Sequence, residues 1–486
     1  MSDAKAKTAK PAALTPDLCV VGAGERGIAL ATAAAAFGVP VVLVERRTTG
    51  GRPTALAARA LIEAAARAQE LREAGRLGIE PASPAVKDTQ LNDQIRRALA
   101  VSAANHRPER LAALGIRLIQ GEAHFTSRGS LAVGELIVKA RRFAIATGSR
   151  PDLSALPGMA ALAPALILSE DDLPGLTRLP ERLAVLGGSA PAVALGQAFA
   201  RLGSSVTIVC PGDILPEHDG EAVMTVRQRL LREGMTLHEG SEVTHLESRR
   251  AGVSLTLNGP AGDVTLEASR LLVAGYRRPD IETLDLDLAG VRSDAAGIAV
   301  DKSLRTANRR IHALGSCAGG AAAGSSGFAG DDHVGIVLRS VLFRRSGALD
   351  LAASPRVAWC RPEIASIGER QPIEPAAPGQ LRVMRWPFAE VPGAVAAGRT
   401  EGYVKLVTDR KGRLRAVTIV GEGASELIAP WSVALKAGLG APAMAGSPFP
   451  AMAASAASRS AALTFLAPAT TRPGLRRLIG FLRRFG

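Results

Sequence analysis

Cysteine is scarce in this chain, and its spacing fits neither a disulfide framework nor a metal site. The four cysteines among 486 residues stand at positions 19, 210, 317 and 360, with no close pair and no C-x-x-C motif. This pattern argues against a disulfide-stapled protein and against a structural zinc. The seven histidines also lack metal-ligand spacing. We therefore expect buried free thiols and no metal centre.

Aromatic residues make up only 3% of the chain, with 2 Tyr and 3 Trp. The formal charge of +14, from 59 Lys and Arg against 45 Asp and Glu, is the kind of excess that nucleic-acid-binding proteins carry. However, no basic block is interleaved with aromatic side chains, as a nucleic-acid surface would require. Five of the charges are arginines of the last 20 residues, which contain no acid. We predict no nucleic-acid partner.

Long uninterrupted apolar runs are missing as well. The most apolar run, residues 30–44, contains Gly38 and Pro40 and is followed by Glu45 and two arginines, so it is too short to cross a bilayer. Residues 1–16 carry three lysines and no apolar core, which predicts a flexible tail, no secretory signal and a cytoplasmic protein. The chain is nevertheless 47% hydrophobic, and its length indicates two to four folded domains.

The segment 18–45 has the pattern of a strand, a glycine turn, an alanine-rich helix and a second strand. The glycines are Gly22, Gly24 and Gly27, and Glu45 ends the second strand 18 residues after the last of them. Such glycines allow the turn, the close approach of a pyrophosphate and the packing of helix on strand, while the acid accepts bonds from a ribose. The pattern predicts a dinucleotide site; a tight turn without any ligand is the alternative.

A second unit of this kind begins at residue 182. Gly187, Ser189 and Ala192 take the three small-residue positions, and Pro191 removes one amide N–H from the first helical turn. Cys210 follows the second strand, where an acid would hold a ribose or an arginine a 2′-phosphate. Two interpretations stay open here, a nicotinamide nucleotide site and a domain retained for structure alone.

Beyond residue 346 the pattern changes to strands followed by helices, which is typical of an α+β domain. Strands are predicted at 356–368, 402–409 and 414–421, and alanine-rich helices at 424–437 and 451–466. The final stretch, 472–486, places five apolar residues on one helical face among five arginines. This tail could contact an anionic membrane weakly; a helix docked on the protein or a solvated end is the alternative.

Several further segments share the signatures of one enzyme family. They read A-T-G-S-R-P at 146–151, G-E-A-H-F at 121–125, Q-A-F-A-R-L-G-S at 197–204, T-A-N-R-R-I-H-A-L-G at 306–315, R-P-E-I-A-S-I-G at 361–368 and A-S-E-L-I at 424–428. Together with the two glycine turns they resemble the pyridine nucleotide-disulfide oxidoreductases, mercuric reductase and dihydrolipoamide dehydrogenase above all.

The resemblance implies an α/β fold class, with two tandem Rossmann-like dinucleotide-binding domains and a C-terminal α+β dimerisation domain. It places an FAD domain at 17–150 and 278–346, an NAD(P) domain at 151–277 and a dimerisation domain at 347–466, before the basic tail 467–486. It also implies a homodimer that binds FAD and uses NADH or NADPH. The implied cofactor-binding residues are Gly22, Gly24, Gly27, Glu45, Gly51, Ala123, Thr147, Gly148, Gly187, Ser189, Ala192, Arg277, Gly315 and Ser316.

The chain departs from this family at the elements that carry its chemistry. The family's C-x(4)-C redox pair would follow Gly50-Gly51, yet no cysteine lies between 19 and 210. Its catalytic His in the last domain is missing too, because residues 334–486 contain no His. Ala55 and Ala194 stand where the family has an ion pair beside the flavin. We therefore expect no catalytic residue of the usual kind.

Two departures concern the cofactors themselves. Ser316 replaces the aspartate that bonds the FAD ribityl chain, which weakens that contact by roughly 1 kcal/mol. Tyr276 stands at a glycine position where the backbone would pass close to the nucleotide.

Two functional hypotheses follow. The first is an FAD-dependent NAD(P)H oxidoreductase that passes electrons to a non-disulfide acceptor such as a quinone, a dye, oxygen or a second nicotinamide. The second is a catalytically silent relative that keeps the fold, with or without FAD, as a binding or scaffolding protein.

Overall fold

Parallel strands and the helices that join them form the centre of each half of the chain. The computed structural model describes residues 13–47, 54–154, 156, 158–260, 262–320, 322, 332–370 and 379–485. The chain divides into two compact units. The first contains the described residues of Met1–Ala57, Arg96–Asp152 and Arg277–Leu349, and the second those of Ala58–Ile95, Leu153–Tyr276 and Asp350–Gly486.

The first unit is built on a five-stranded sheet in which every pair of neighbours is parallel. Its strands, in spatial order, are Ile311–Ala313, Arg142–Ile145, Leu18–Val21, Val41–Glu45 and Ile116–Gln120. All residues of Leu18–Val21 and Val41–Glu45 are buried, because a parallel sheet is covered on both faces. Helices Glu25–Ala35 and His333–Phe343 pack together, with the rings of Phe37 and Phe343 5.4 Å apart at their ends.

Smaller sheets complete the first unit. One has the order Ala13–Leu14, Leu136–Val138, Ser130–Val133 and Ala123–Ser127, a second Ser293–Asp294, Gly297–Val300 and Ala318–Gly320, and a third pairs Ser149–Pro151 with Arg277–Pro279. Helix Pro108–Ala113 also belongs to this unit, while helices Thr54–Glu73 and Asp88–Ala103 each begin in one unit and end in the other. The short 3-10 turns are Ala104–His106, Glu282–Leu284 and Gly315–Cys317.

The second unit contains another five-stranded parallel sheet. Its order is Ile167–Ser169, Arg270–Val273, Arg182–Leu186, Ser205–Val209 and Thr236–His238, with helices Ala190–Arg201 and Gly220–Arg232 between strands. An antiparallel sheet of Glu242–Arg249, Gly252–Gly259 and Gly262–Ala268 packs beside it. Short 3-10 turns are Ala74–Leu77, Met159–Ala161, Pro164–Leu166 and Glu170–Gly175.

The C-terminal part of the second unit is antiparallel. Its strands, in spatial order, are Arg356–Ala358, Glu363–Gly368, Leu414–Gly421, Tyr403–Asp409 and Leu381–Pro387. Its helices are Pro392–Ala396, Ala424–Leu427, Ala429–Lys436, Ala441–Gly446, Ala456–Thr464 and Pro473–Leu482, with 3-10 turns Phe388–Glu390 and Ala467–Thr471. Trp431 is fully buried in this core and donates from its indole nitrogen to the Ser458 hydroxyl at 3.0 Å.

The α/β fold class with a C-terminal α+β domain is confirmed, whereas some element bounds differ from the sequence prediction. The alanine-rich stretch 424–437 forms two helices rather than one, divided at Ile428, and Pro430 lies in the first turn of the second. The stretch 451–466 is helical only over Ala456–Thr464. Strand Leu381–Pro387 was not predicted. Within the described residues, no helix has both the length and the hydropathy that a membrane crossing requires.

Candidate dinucleotide-binding sites

The first glycine turn leaves strand Leu18–Val21 and opens helix Glu25–Ala35. Gly22 has φ +104°, and a Cβ atom there would lie 2.5 Å from the Ala146 carbonyl oxygen. A Cβ on Gly27 would lie 1.9 Å from the Gly22 carbonyl oxygen. Both positions therefore accept only glycine.

The middle glycine of this turn, Gly24, faces open space. A Cβ on Gly24 would meet no atom within 4 Å, and Gly24 supplies no side-chain cap to the helix that follows. In an α-helix the first amide N–H groups have no partner within the helix, so they can donate to a group outside it. A helix N-terminus with this free approach suits a pyrophosphate, so the residues present fit the phosphate half of a dinucleotide.

Glu45 lies beside this turn at the end of the neighbouring strand and is 8% exposed. Its Oε2 accepts a bond from the Ala23 amide at 2.7 Å, and its Oε1 accepts one from the Arg47 amide at 2.9 Å. These bonds fix the carboxylate in one orientation and leave further lone pairs for hydroxyl donors such as those of a ribose. The backbone of Glu45 is also fixed, because the Gly121 amide donates to the Glu45 carbonyl at 2.9 Å.

The segments that follow the first unit's central strands approach each other at Gly148 and Ser316. Gly148 has φ +77°, and a Cβ there would be 4.0 Å from the Ser316 hydroxyl. Gly315 also has φ +77°, and its amide donates to Nδ1 of the buried His333 at 3.0 Å. Thr147 precedes Gly148, so Thr147, Gly148, Gly315 and Ser316 lie in one neighbourhood. That they bind a cofactor stays a prediction.

Other predicted residues of the first unit lie apart from this neighbourhood or form hydrogen bonds with other residues of the protein. Ala123 is buried at the start of strand Ala123–Ser127. Arg277 donates from Nε to the Ser149 hydroxyl at 2.9 Å and from Nη2 to the Ser149 carbonyl at 2.7 Å. Gly51 lies outside the described residues. Cofactor binding by these three residues stays a prediction.

Two contacts at the first site were not anticipated from the sequence. Arg26, inside the glycine motif, places its Cδ 3.3 Å from where a Cβ on Gly315 would stand. Arg46 pairs with Asp280 at 2.5 Å, and the Asp280 amide donates to the Gly148 carbonyl at 3.1 Å. A basic residue between the motif's glycines could have signalled the first contact, but no local pattern signals the second.

The second glycine turn is covered by a side chain. Gly187 has φ +112°, and a Cβ there would lie 2.9 Å from Cε2 of Tyr276. The Ser189 hydroxyl donates to the Ala274 carbonyl at 3.2 Å and accepts a bond from the Ala192 amide at 3.4 Å. The Gly275 amide in turn donates to the buried carboxylate of Glu170 at 3.2 Å. Gly187, Ser189 and Ala192 thus lie together, but the Tyr276 segment is held against them.

The strand end where a ribose acceptor would stand carries a neutral thiol. The Cys210 thiol donates to the Gly212 carbonyl at 2.9 Å. Burial first, and then the carboxylates of Glu239 and Asp213, raise the pKa of Cys210 to about 11. Arg227, the neighbouring cation, is engaged by Glu239 through two bonds of 2.7 Å. The second turn therefore offers a ribose or a 2′-phosphate fewer partners than the first.

All four cysteines lie within the described residues, and all are free and buried. Burial raises the pKa of every one of these thiols, to about 12 for Cys360. The Cys317 thiol, which follows Ser316, donates to the Leu314 carbonyl at 3.3 Å. Buried thiols with raised pKa values are poor nucleophiles.

In the part of the chain that the structure describes, neither histidines nor metal ligands offer a reactive group in place of these thiols. Burial lowers the pKa of His218 and of His312 to about 4, so both rings are neutral near pH 7. No group of three or more His, Cys, Asp or Glu side chains is placed to hold a metal ion among the described residues.

Comparison with known proteins identifies the relatives of this chain. Residues 16–335 match the family model described as pyridine nucleotide-disulphide oxidoreductase, and residues 354–460 match the dimerisation domain of the same family. The chain is 31% identical over 462 residues to a mercuric reductase of Streptomyces lividans, covering 92% of this chain and 96% of the relative. It is 30% identical over 474 residues to dihydrolipoyl dehydrogenase 3 of Pseudomonas aeruginosa, covering 92% and 97%.

Solved structures show the same fold. LpdA of Mycobacterium tuberculosis superposes with a TM-score of 0.80 at 22% identity, covering 93% of this chain and 99% of its own. The HOCl-induced flavoprotein disulfide reductase RclA of Escherichia coli, as its Cu(II) complex, superposes with a TM-score of 0.78 at 21% identity, with the same coverage.

Proposed function

Since this chain belongs to the pyridine nucleotide-disulphide oxidoreductase family, we propose that it is an FAD-dependent NAD(P)H oxidoreductase whose acceptor is not a disulfide. Members of the family are FAD-dependent and use NAD(P)H. The finer proposal is that electrons reach a diaphorase-type acceptor, such as a quinone or a dye, or a second nicotinamide nucleotide. Neither thiol-disulfide exchange nor mercuric ion reduction is part of this activity.

The observation that carries the proposal is the contrast between the first glycine turn and the cysteines. Gly24 and Glu45 keep an open, polar approach for a dinucleotide. All four thiols are buried, and burial raises the pKa of each. A thiol relay needs two accessible sulfurs that attack one another as thiolates. These features support a chain that keeps a site for FAD while its own sulfurs are unsuited to a relay.

The residues of the first unit would hold FAD by its two ends. The helix amides after Gly24 would bind the pyrophosphate, and Glu45 would accept bonds from ribose hydroxyls. Gly148 and Ser316 provide small residues and one hydroxyl for the flavin half, where the family's aspartate would add a charge. When bound, FAD supplies the redox chemistry by accepting a hydride from NAD(P)H and giving two electrons to the acceptor.

The reaction balances without any protein sulfur. With a quinone as acceptor, NAD(P)H and one proton become NAD(P)⁺ while the quinone gains two electrons and two protons. With a second nicotinamide nucleotide, one hydride is lost by the donor and gained by the acceptor. Neither reaction requires a general base from the last domain, whose described residues contain no histidine.

Steady-state assays test this proposal directly. Purified protein of known FAD content is supplied with NADH or NADPH and with a quinone, a dye, lipoamide or mercuric ion. We expect reduction of the quinone or dye, no reduction of lipoamide or mercuric ion, and an unchanged rate after native protein is treated with N-ethylmaleimide. The Cys317→Ser variant, which removes the thiol next to Ser316, keeps the rate. Lipoamide reduction that N-ethylmaleimide abolishes would contradict the proposal.

A second candidate function is favoured by the Tyr276 ring at Gly187. This ring, together with the neutral Cys210, could exclude a nicotinamide nucleotide altogether and leave a silent protein that keeps its fold as a scaffold. FAD-loaded protein whose flavin neither NADH nor NADPH bleaches would support this candidate. Bleaching by either nucleotide would exclude it.

The proposal also includes the oligomeric state and the cellular location of the protein. The match of residues 354–460 to a dimerisation domain supports a homodimer, in which the last domain carries the contact. Sedimentation that gives a monomer near 50.2 kDa would contradict it. A cytoplasmic location remains a prediction from the sequence.

A further inference from the structure

The last helix, Pro473–Leu482, carries large apolar side chains that no described part of the chain covers. Every residue from 470 to 485 is exposed. The exposed fraction of the apolar residues runs from 39% at Leu475 to 75% at Phe485. The full set is Leu475, Leu478, Ile479, Phe481, Leu482 and Phe485. Exposed apolar side chains concentrated on one short element mark an interaction surface.

These side chains share one face of the helix. Leu475, Leu478, Ile479 and Leu482 follow the three- and four-residue spacing that brings side chains onto one side of a helix. The rings of Phe481 and Phe485 continue that side, with their centroids 5.0 Å apart. The opposite side carries Arg476, Arg477, Arg483 and Arg484. The helix is therefore sharply divided between an apolar and a cationic side.

The stretch of sequence that ends in this helix carries charges of a single sign. Residues 427–486 contain no Asp and no Glu, whereas they contain Lys436, Arg459 and the five arginines of the tail. No acid within this stretch can neutralise the arginines. The helix therefore attracts anionic surfaces and repels a second copy of itself.

We propose that the helix Pro473–Leu482 binds the surface of an anionic phospholipid bilayer, lying in the plane of the headgroups. Apolar side chains enter the boundary between headgroups and acyl chains, and the arginines contact the phosphates. A nucleic acid would satisfy the arginines but leave the apolar face in water. Ten residues span about 15 Å, half the hydrocarbon thickness, so the helix lies on the bilayer and does not cross it. This inference does not depend on the proposed catalytic function.

Co-sedimentation of the full chain, in whatever assembly it forms, with lipid vesicles tests the proposal. The probes are vesicles of phosphatidylcholine alone and vesicles that also contain phosphatidylglycerol. We expect binding to the second kind, at least about tenfold weaker binding to the first, and loss of binding on deletion of residues 467–486. Equal binding to both kinds, or no binding to either, would overturn the proposal.

Two pairs of matched variants distinguish binding through this surface from nonspecific binding to vesicles. Arg476→Gln/Arg477→Gln should weaken binding to the anionic vesicles about tenfold or more, since each arginine near the surface contributes roughly a fivefold factor. Arg249→Gln/Arg250→Gln, another exposed neighbouring pair, should leave it unchanged. Ile479→Asp should abolish binding, while Val101→Asp, at a residue 75% exposed on a different helix, should not.

The same variants distinguish other occupants of this face. If the tail bound a second copy of the chain, its deletion would lower the oligomeric state measured by sedimentation velocity and leave vesicle binding unchanged. That result would overturn the proposal. All substituted residues are exposed, so an unchanged thermal midpoint in each variant shows that the fold is intact.

Discussion

The phenol ring of Tyr276 lies against Gly187, with Cε2 2.9 Å from where a Cβ on that glycine would stand. The ring is therefore at the turn that would carry the phosphates of a second nucleotide. The backbone around it is anchored, because Ser189 bonds the Ala274 carbonyl and the Gly275 amide bonds Glu170. The Tyr276 ring is therefore held next to the second glycine turn.

Removing the ring should open that turn. In Tyr276→Ala we expect the Kd for NADH or NADPH to fall about tenfold, which corresponds to about 1.4 kcal/mol, because phosphate oxygens gain the space of the ring. Isothermal titration of FAD-loaded protein measures this change. Tyr276→Phe keeps the ring and should bind as the natural chain does. An unchanged Kd in the alanine variant would show that the ring already moves aside at little cost.

FAD binding should depend on the Glu45 carboxylate. Glu45→Ala removes the acceptor for the Ala23 amide and for the ribose, which we expect to weaken FAD binding by about 10–100-fold, since bonds to a charged group contribute about 1.5–3 kcal/mol. Fluorescence titration of apoprotein with FAD measures it. Glu122→Ala removes a carboxylate that is 54% exposed near Arg46 and serves as the control. Equal FAD affinity in both variants would contradict the assignment of Glu45.

The thiols should be inert in the native protein. Since burial raises the pKa of Cys210 to about 11, only about one molecule in a thousand carries a thiolate there at pH 8. We expect Ellman's reagent to titrate none of the four cysteines in native protein and all four after denaturation. Any native reaction should accelerate as the pH rises towards 11. Two thiols that react rapidly after treatment with NADH would reveal a redox pair and refute this prediction.

A buried ion network should control the stability of the second unit. Arg201 and Glu233 are 6% and 7% exposed and pair at 2.6 Å, and Arg229 bonds the same carboxylate at 2.6 Å. Glu233→Gln removes the carboxylate that pairs with the buried Arg201, whereas Arg229 keeps its ion pair with Glu73. We therefore expect the free energy of unfolding to fall by about 3 kcal/mol. Chemical denaturation measures this change. Glu369→Gln, at an exposed carboxylate paired with Arg415, should cost far less.

The same network predicts a pH dependence with a definite sign. Burial opposes ionisation of Glu233, but the bonds and charges of Arg201 and Arg229 outweigh it and hold the pKa below its usual value. A carboxyl whose pKa is lower in the folded state stabilises the fold above the unfolded pKa of about 4.3, and this stability is lost as the pH falls through the folded value. The natural chain should therefore lose stability in acid more steeply than Glu233→Gln.

Features that depend on short-range steric contacts could be predicted from the sequence. Gly22 and Gly27 could be located because a strand, a tight turn and a helix that pack this closely allow no side chain there. Buried parallel strands such as Val41–Glu45 can be predicted because they form continuous apolar runs in the sequence. Strand Leu381–Pro387 was missed because its two arginines and one proline give it neither a run nor a clear alternation.

Contacts between distant residues could not be predicted in this way. Tyr276 is 89 positions from Gly187, and Arg26 approaches Gly315 across most of the first unit's sequence. Gln197 binds both backbone groups of Arg361, with two bonds of 2.7 Å over a separation of 164 residues. Such pairs depend on how the chain folds back on itself, which no local pattern encodes. The sequence could therefore name the glycine turns but not show that one is open and the other covered.

Anaerobic titration of FAD-loaded protein with NADH or NADPH tests the central claim most directly. A flavin that is the sole electron carrier takes two electrons, so the account predicts complete bleaching of the flavin band by one molar equivalent of nucleotide, with no long-wavelength band from a thiolate beside the flavin. A requirement for two equivalents, with that band appearing after the first, would show a working thiol pair and contradict the account.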